Sequence, residues 1–373
     1  MKQKKIGLLS SSRADYGIYS PLIEYWKNQR WLELERIIFG AHLLDGMELF
    51  LKQIEEDCYG IVHKVGSFQK TNSSKEVVKT YAEVVKTFSS FWELNKYDCL
   101  ISLGDRFEMS AAIQSAIPFH IPIAHIHGGE TTLGSIDNIY RHQITIASQL
   151  HFTSTENYRL RVTQIKGSDN NVYNVGSLSL SELKDNSSKL WESIASKYNI
   201  PKEPFIIITI HPETNIQSNF RVELEELSKV LKDLVKRYHL IITGTNSDQN
   251  HKSILDFFEG FYKLYPNQIT IINSLGRENY FSALHNCSFV MGNSSSGIIE
   301  AASFGKFVID LGNRQNGRLK SNNTFTIPFE SKSIIEKINT LERKGLEYKG
   351  DNIYFKESVS ENITMRLKNF LQP

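Results

Sequence analysis

Several segments of the chain gather side chains able to hold an anion or move a proton. The run Ser10-Ser-Ser-Arg-Ala-Asp15 follows an apolar stretch. Its small residues let a backbone approach a ligand, and the forked guanidinium of Arg13 suits phosphate. The same run also reads as a strand-to-helix turn capped by Ser or Asp15. Gly104-Asp105-Arg106-Phe107-Glu108 sets a carboxylate beside a guanidinium at the end of another apolar run. Asp105 and Arg106 are candidates to touch a substrate, or Asp105 caps the next helix and pairs with Arg106. His125-Ile-His127-Gly-Gly-Glu130 is followed by Asp137 and by Tyr140-Arg141-His142. Strand alternation points His125 and His127 to one side, the paired glycines admit a ligand, and Glu130 and Asp137 share one loop, a set suited to acid/base work. Two histidines one residue apart also open a metal site, but its further ligands would have to converge from elsewhere.

The second half of the chain supplies anion-binding features. Phe205–Ile210 runs into His211-Pro-Glu-Thr-Asn215, and Thr243-Gly-Thr-Asn246 follows another apolar run. Gly292-Asn293-Ser294-Ser295-Ser296-Gly297 opens a helical segment that contains Glu300. An apolar strand, a hydroxyl-rich turn and a helix start place unpaired backbone N–H groups where a diphosphate could sit, and Glu300, one turn on, could accept from ribose hydroxyls. A Ser-capped helix with a surface Glu is the plainer reading. Arg314 and Arg318 lie in the polar loop beyond the next apolar run. No G-x-G-x-x-G and no G-x-x-x-x-G-K-[ST] occurs, which argues against a nicotinamide cofactor or a Walker-type nucleotide site.

The elements that must position these residues are short buried strands alternating with helices, an α/β pattern. Strands are expected at Ile6–Ser10, Leu34–Gly40, Cys99–Leu103, Ile121–Ile126, Leu150–Thr153 and Val172–Val175, then at Phe205–Ile210, His239–Thr243, Ile269–Ile272, Phe289–Met291 and Phe307–Leu311. Helices are expected near Tyr19–Asn28, Ser74–Leu94, Phe107–Ala116, Asn138–Gln149, Phe220–Arg237 and Gly297–Phe304. The polar, aperiodic stretch from Gly176 to Pro204 divides two doubly wound domains that would face each other across a cleft, 1–176 and 177–373. In such sheets ligands bind beyond the carboxyl ends of the strands, where every motif above lies.

At 373 residues there is room for two cores. With 43 Lys+Arg against 41 Asp+Glu the formal charge is only +2, so no general field draws nucleic acid or an anionic membrane, and any polyanion must be held locally. No apolar stretch approaches the ~20 residues of a membrane helix. The basic N-terminus is not followed by a signal-peptide core, and Cys58, Cys99 and Cys287 lack the spacing of a zinc or redox motif, so a cytoplasmic protein with reduced cysteines is expected.

Taken in order, S-R-A-D-Y, G-D-R-F-E, H-I-H-G-G-E with the downstream I-D and R-H, H-P-E-T-N, G-N-S-S-S-G-I-I-E and N-R-Q-N-G-R resemble the UDP-N-acetylglucosamine 2-epimerase family, hydrolysing branch. The resemblance runs from Arg13 to Arg318. It implies two Rossmann-like domains in the GT-B arrangement, with a C-terminal helix near 354–371 crossing back to the first domain and a homodimer or homotetramer. It further implies a UDP-sugar substrate, UDP as product, and catalysis with no cofactor and no metal. UDP would leave by anti elimination to give 2-acetamidoglucal, which water converts to N-acetylmannosamine. Asp105, Glu130, Asp137, His127, His211 and Arg106 are then the catalytic candidates. Arg13, Asp15, His211, Asn246, Ser294, Ser295, Ser296, Gly297, Glu300 and Arg314 are the candidates for holding substrate. One departure stands out: His127 occupies the position where many relatives carry a catalytic Glu, so that task falls to His127 or to Glu130. The spacing from Gly129 to Asp137 is also one residue longer than in some relatives. Alternatives are a hydrolysing epimerase of a GDP-linked diacetamido sugar, a non-hydrolysing epimerase, a GT-B glycosyltransferase and a sugar-nucleotide sensor.

Overall fold

The computed structural model describes residues 3–57, 59–69, 71, 73–133, 135–181, 187–212, 220–245 and 251–372. They form two compact units. The first comprises Met1–Glu130, Ile136–Glu182 and Tyr354–Pro373, the second Thr131–Ser135 and Leu183–Ile353.

The first unit holds the strands β1 (Lys4–Ser10), β2 (Leu32–Ile38), β3 (Ile61–Lys64), β4 (Cys99–Leu103), β5 (Ile123–Ile126), β6 (Leu150–Thr153) and β7 (Val172–Asn174). All pair in parallel in the order β3-β2-β1-β4-β5-β6-β7. A parallel sheet needs both faces covered, and alternation along the strands supplies two cores. Ile6, Leu8 and Ile101 pack on one face with Leu22 and Trp26 of helix Arg13–Trp26. Val359, Ile363 and Leu367 of the C-terminal helix Val359–Leu371 join that core, and the Trp26 indole N–H donates to Thr364 Oγ1 at 2.8 Å. Leu9, Ile37 and Leu100 pack on the other face against helices Ser74–Leu94 and Phe107–Ala116.

The second unit holds β8 (Phe205–Thr209), β9 (His239–Thr243), β10 (Ile269–Ile272), β11 (Val290–Gly292), β12 (Val308–Leu311) and β13 (Thr324–Ile327), parallel in the order β10-β9-β8-β11-β12-β13. Ile206 and Ile208 serve one core and Phe205 and Ile207 the other, as a period of two requires. Each sheet therefore reverses direction at one point, between β1 and β4 and between β8 and β11. At such a switch point the loops diverge and leave a crevice at the carboxyl ends.

Both units are doubly wound α/β layers, the expected fold class. The chain changes unit after Glu182 rather than at 176, because Leu178 is buried in the first-unit core and Ser177 N donates to Tyr354 O at 2.8 Å. Thr131–Ser135 packs with the second unit, where Leu133 N donates to Asn316 O at 2.8 Å. The expected helix at Gly297–Phe304 is an α-helix over Ser295–Glu300 that tightens into a 3-10 turn over Ala301–Phe304. Cys99 and Cys287 are buried and free, and Cys58 lies outside the described residues. Among the described residues no helix is long and apolar enough to cross a membrane.

Candidate active site

At the first switch point, Ser11 donates from its backbone N and its hydroxyl to Asp15 Oδ2 at 3.0 and 2.8 Å, while Ser12 caps helix Arg13–Trp26. This Asp15 oxygen is thus turned inward, shaping the turn. Burial raises the Asp15 pKa, opposed by the nearby Arg106 charge and the Ser11 bonds. Arg13 stands exposed at the first helical position and makes no ion pair among the described residues.

Arg106 pairs with the buried Glu108, not with Asp105. Glu108, then Asp15 and Asp137, hold the guanidinium firmly charged against its own burial. Asp105 instead pairs with Arg141 Nη2, and no side chain caps helix Phe107–Ala116. Neither element of the capping alternative occurs. The Asp105 side chain keeps 25% of its surface exposed against 3% for Arg141, so this carboxylate is the open end of a buried guanidinium. Arg141 Nη1 donates to His127 O at 2.8 Å and lies 3.8 Å from Glu130 Oε2. Glu130, 2% exposed, accepts from Ser154 Oγ at 2.8 Å and comes within 3.8 Å of His127 Nδ1. Asp137 opens helix Asp137–Ala147, which carries Arg141 one turn later.

Two expectations about the histidine segment need correction. β5 ends at Ile126, and His127 sits just beyond it with φ +64°, so alternation does not govern its direction. His125 Nε2–H donates to Gly104 O at 2.9 Å, Nδ1 lies 3.2 Å from Thr145 Oγ1, and burial lowers its pKa to about 3. His125 is therefore a neutral brace behind the Gly104–Asp105 turn. The paired glycines make room for protein, not ligand. A Cβ on Gly129 would stand 2.6 Å from Tyr158 O, and one on Gly128 would stand 2.9 Å from His125 Nδ1.

His42 escaped sequence reasoning, because a lone His in the 3-10 turn Gly40–Leu43 carries no motif. It is buried after β2, meets Ser10 Oγ at 2.8 Å through Nε2, and stacks on Phe50. Burial, with the charges of Arg106 and Arg13, lowers its pKa to about 4. Arg141 and Glu108 were inside quoted motifs without a role, since their partners are remote or buried.

In the second unit, the buried Asn293 side chain clamps the His211 backbone. Its Oδ1 accepts from His211 N at 2.7 Å and its Nδ2 donates to His211 O at 2.9 Å. Asn293 O in turn accepts from Arg314 Nη1 at 3.1 Å and Gln315 Nε2 at 2.9 Å. The approach of the two strand ends requires glycine: Gly292 has φ +138°, and a Cβ there would stand 1.9 Å from Thr209 O. Burial, then Arg314, pushes His211 well below the usual histidine range, so its imidazole is neutral, with Nδ1 3.4 Å from Thr245 Oγ1. Ser294 caps helix Ser295–Glu300 by accepting from Ser296 N at 3.4 Å, and the hydroxyls of Ser294 and Tyr280 each lie 3.0 Å from Ser296 Oγ. Gly297 is buried, and Glu300 is half-buried near enough to raise the Tyr280 pKa further above what burial sets. Asn246 and the Glu213–Asn215 part of the histidine motif lie outside the described residues. No group of three or more His, Cys, Asp or Glu side chains able to hold a metal occurs among the described residues.

Two doubly wound units, each with polar side chains gathered at its switch point, define the two-domain Rossmann-like class. Residues 24–368 match the UDP-N-acetylglucosamine 2-epimerase family, and the chain belongs to it. It is 30% identical to the polysialic acid biosynthesis protein P7 of Escherichia coli over 372 residues, 99% of this chain and 95% of that one. It is 33% identical to the GDP/UDP-N,N'-diacetylbacillosamine 2-epimerase (hydrolyzing) of Campylobacter jejuni over 327 residues, 87% of this chain and 84% of that one. The fold is that of the UDP-GlcNAc 2-epimerase from Neisseria meningitidis solved with UDP-GlcNAc, with a TM-score of 0.77 at 17% identity, covering 98% of this chain and 100% of that one.

Proposed function

We propose that the protein is a hydrolysing 2-epimerase that converts UDP-N-acetylglucosamine and water into N-acetylmannosamine and UDP. A base takes the C2 proton as the C1–O bond breaks, the bonding pair leaves on the diphosphate, and 2-acetamidoglucal remains. Water then adds its oxygen to C1 while a proton returns to C2 on the opposite face. The observation that carries this reading is the cluster of Asp105, Glu130 and Asp137 around Arg141 and Arg106, a carboxylate set in which Asp105 and Asp137 are partly open and Glu130 is buried. Proton transfer by such positioned groups supplies roughly 10²–10⁴-fold.

The leaving diphosphate carries negative charge as the bond breaks, which donors aimed at it stabilise. Arg13, Arg314 and the Ser294–Gly297 turn are assigned to that task, with Asp15 shaping the Arg13 turn. Neutral His211 donates a hydrogen bond to the phosphate rather than a charge, and Glu300 accepts from the ribose. Asn246 is assigned to the same nucleotide site. The hydrolysing outcome is supported by the Campylobacter relative, whose name states it. That relative also supports a second reading, in which the donor is a UDP- or GDP-linked diacetamido sugar.

Incubation with UDP-N-acetylglucosamine, and separately with UDP- and GDP-N,N'-diacetylbacillosamine, in deuterated water tests both. Free UDP and N-acetylmannosamine carrying deuterium at C2 are expected. Release only from a diacetamido donor selects the second reading. A product still joined to UDP means a non-hydrolysing enzyme, and release that requires an added acceptor means a glycosyltransferase.

A further inference from the structure

His127 and Glu130 are the two claimants for one acid/base task, and the hydrogen bonds around the imidazole separate them. His127 Nε2 accepts from the backbone N–H of Leu178 at 3.2 Å, 51 residues away. An amide N–H has no lone pair to offer, so Nε2 carries no proton in this arrangement, and the neutral ring holds its single proton on Nδ1, the side facing Glu130 Oε1. A second proton at Nε2 would set two N–H groups head to head in a site where the ring is buried. The backbone of the same residue is fastened as well: His127 N donates to Phe152 O at 2.8 Å, and His127 O receives Arg141 Nη1. A continuous chain of contacts thus runs from Leu178 N–H through the imidazole and the His127 carbonyl to Arg141, and from Arg141 to Asp105.

We propose that His127 is a positioning residue that exchanges no proton with the substrate: pinned by Leu178, it aims its carbonyl at Arg141 and so fixes the Asp105 carboxylate. This rests on the reading of Asp105 as a group that acts on substrate. The left-handed backbone at His127 fits that role, since a strained residue persists only where its surroundings over-determine it.

Two variants and one spectrum test it. His127→Gln keeps an acceptor near the Nε2 position for Leu178 N–H, whereas His127→Phe keeps the ring shape and loses the acceptor. If His127 positions, the Gln variant retains more than about a tenth of kcat with the pH profile of the parent. The Phe variant then loses about 100-fold in kcat with little change in KM. Equal losses in both, or a missing limb in the Gln pH profile, overturn the proposal. Nitrogen NMR of the ¹⁵N-histidine protein, with the His127 signals identified by their loss in the Gln variant, reads the tautomer without any substrate. A ring protonated on Nδ1 alone at pH 7 is the expected result, and a proton on Nε2 overturns it even if the donor sugar has been misassigned.

Discussion

At the scale of single residues, the side chains divide by how much water they keep. Asp105 is partly open, while Arg141, Glu130 and His127 are buried around it, so substitutions there separate chemistry from positioning. Asp105→Asn preserves the hydrogen bond to Arg141 and removes the charge. We expect it to retain UDP affinity within about 3-fold, by calorimetry, and to lose at least ~100-fold in turnover. Unchanged turnover would remove Asp105 from the acting groups. Arg141→Lys replaces a fork that serves Asp105 and the His127 carbonyl together with a point charge that serves one, so a fall of roughly 10–100-fold in kcat is expected with folding intact by circular dichroism. The residue types for this chemistry were legible, because carboxylates, histidines and glycines crowd the loop after β5. Their pairing was not: adjacency offered Asp105 as a partner for Arg106, one of two alternatives, whereas Arg106 pairs with Glu108 and Asp105 with Arg141.

At the scale of elements, interior strands such as β4 and β8, whose residues are all buried, read as continuous apolar runs, and the edge strands β7 and β10 were legible as well. β3 and β13, also edge strands, escaped because their polar-interrupted four-residue runs, Ile61–Lys64 and Thr324–Ile327, are mostly half-exposed or exposed and look like loop. Helix Ser331–Lys344 was legible but not read: Ile334, Ile338 and Leu341 recur on one face. The turn from β11 into helix Ser295–Glu300 depends on one glycine, and Gly292→Ala should abolish soluble expression or lower the urea midpoint sharply, because its Cβ would collide with the β8 backbone at the switch point. Gly17 is the contrast: it lies within helix Arg13–Trp26 with nothing within 4 Å of a Cβ, so Gly17→Ala should raise stability by about 0.5–1 kcal/mol. A loss of stability in Gly17→Ala would show that the helix start tolerates no added side chain.

At the scale of the whole molecule, acid sensitivity follows from buried neutral histidines. Burial lowers His42 to about 4 and His125 and His151 to about 3, each from an ordinary value of 6.5. The unfolded chain therefore binds these protons first. Stability is full above pH 6.5 and is lost as pH falls from there toward 4, on the order of 3 kcal/mol for His42 alone. Glu35, whose pKa is lowered by its bonds from Lys5, Tyr97 and His63 against an opposing burial, adds a loss that begins only below its ordinary 4.5. Urea midpoints should stay level down to about pH 6.5 and decline from there to 4.5, and His42→Phe should flatten that decline; an equal slope in the variant would remove His42 from the account. The near-balance of 43 positive and 41 negative charges, and the alternation of buried strand and helix, are written in composition and local spacing, so two doubly wound units and the loops that bear their chemistry could be read from one chain. The partner of Asp105 stands 36 residues away, and the amide that fixes the His127 ring stands 51 away. Hydrogen-bond partners at such separations are chosen when strands fall into order in a sheet, and no spacing along the chain encodes them.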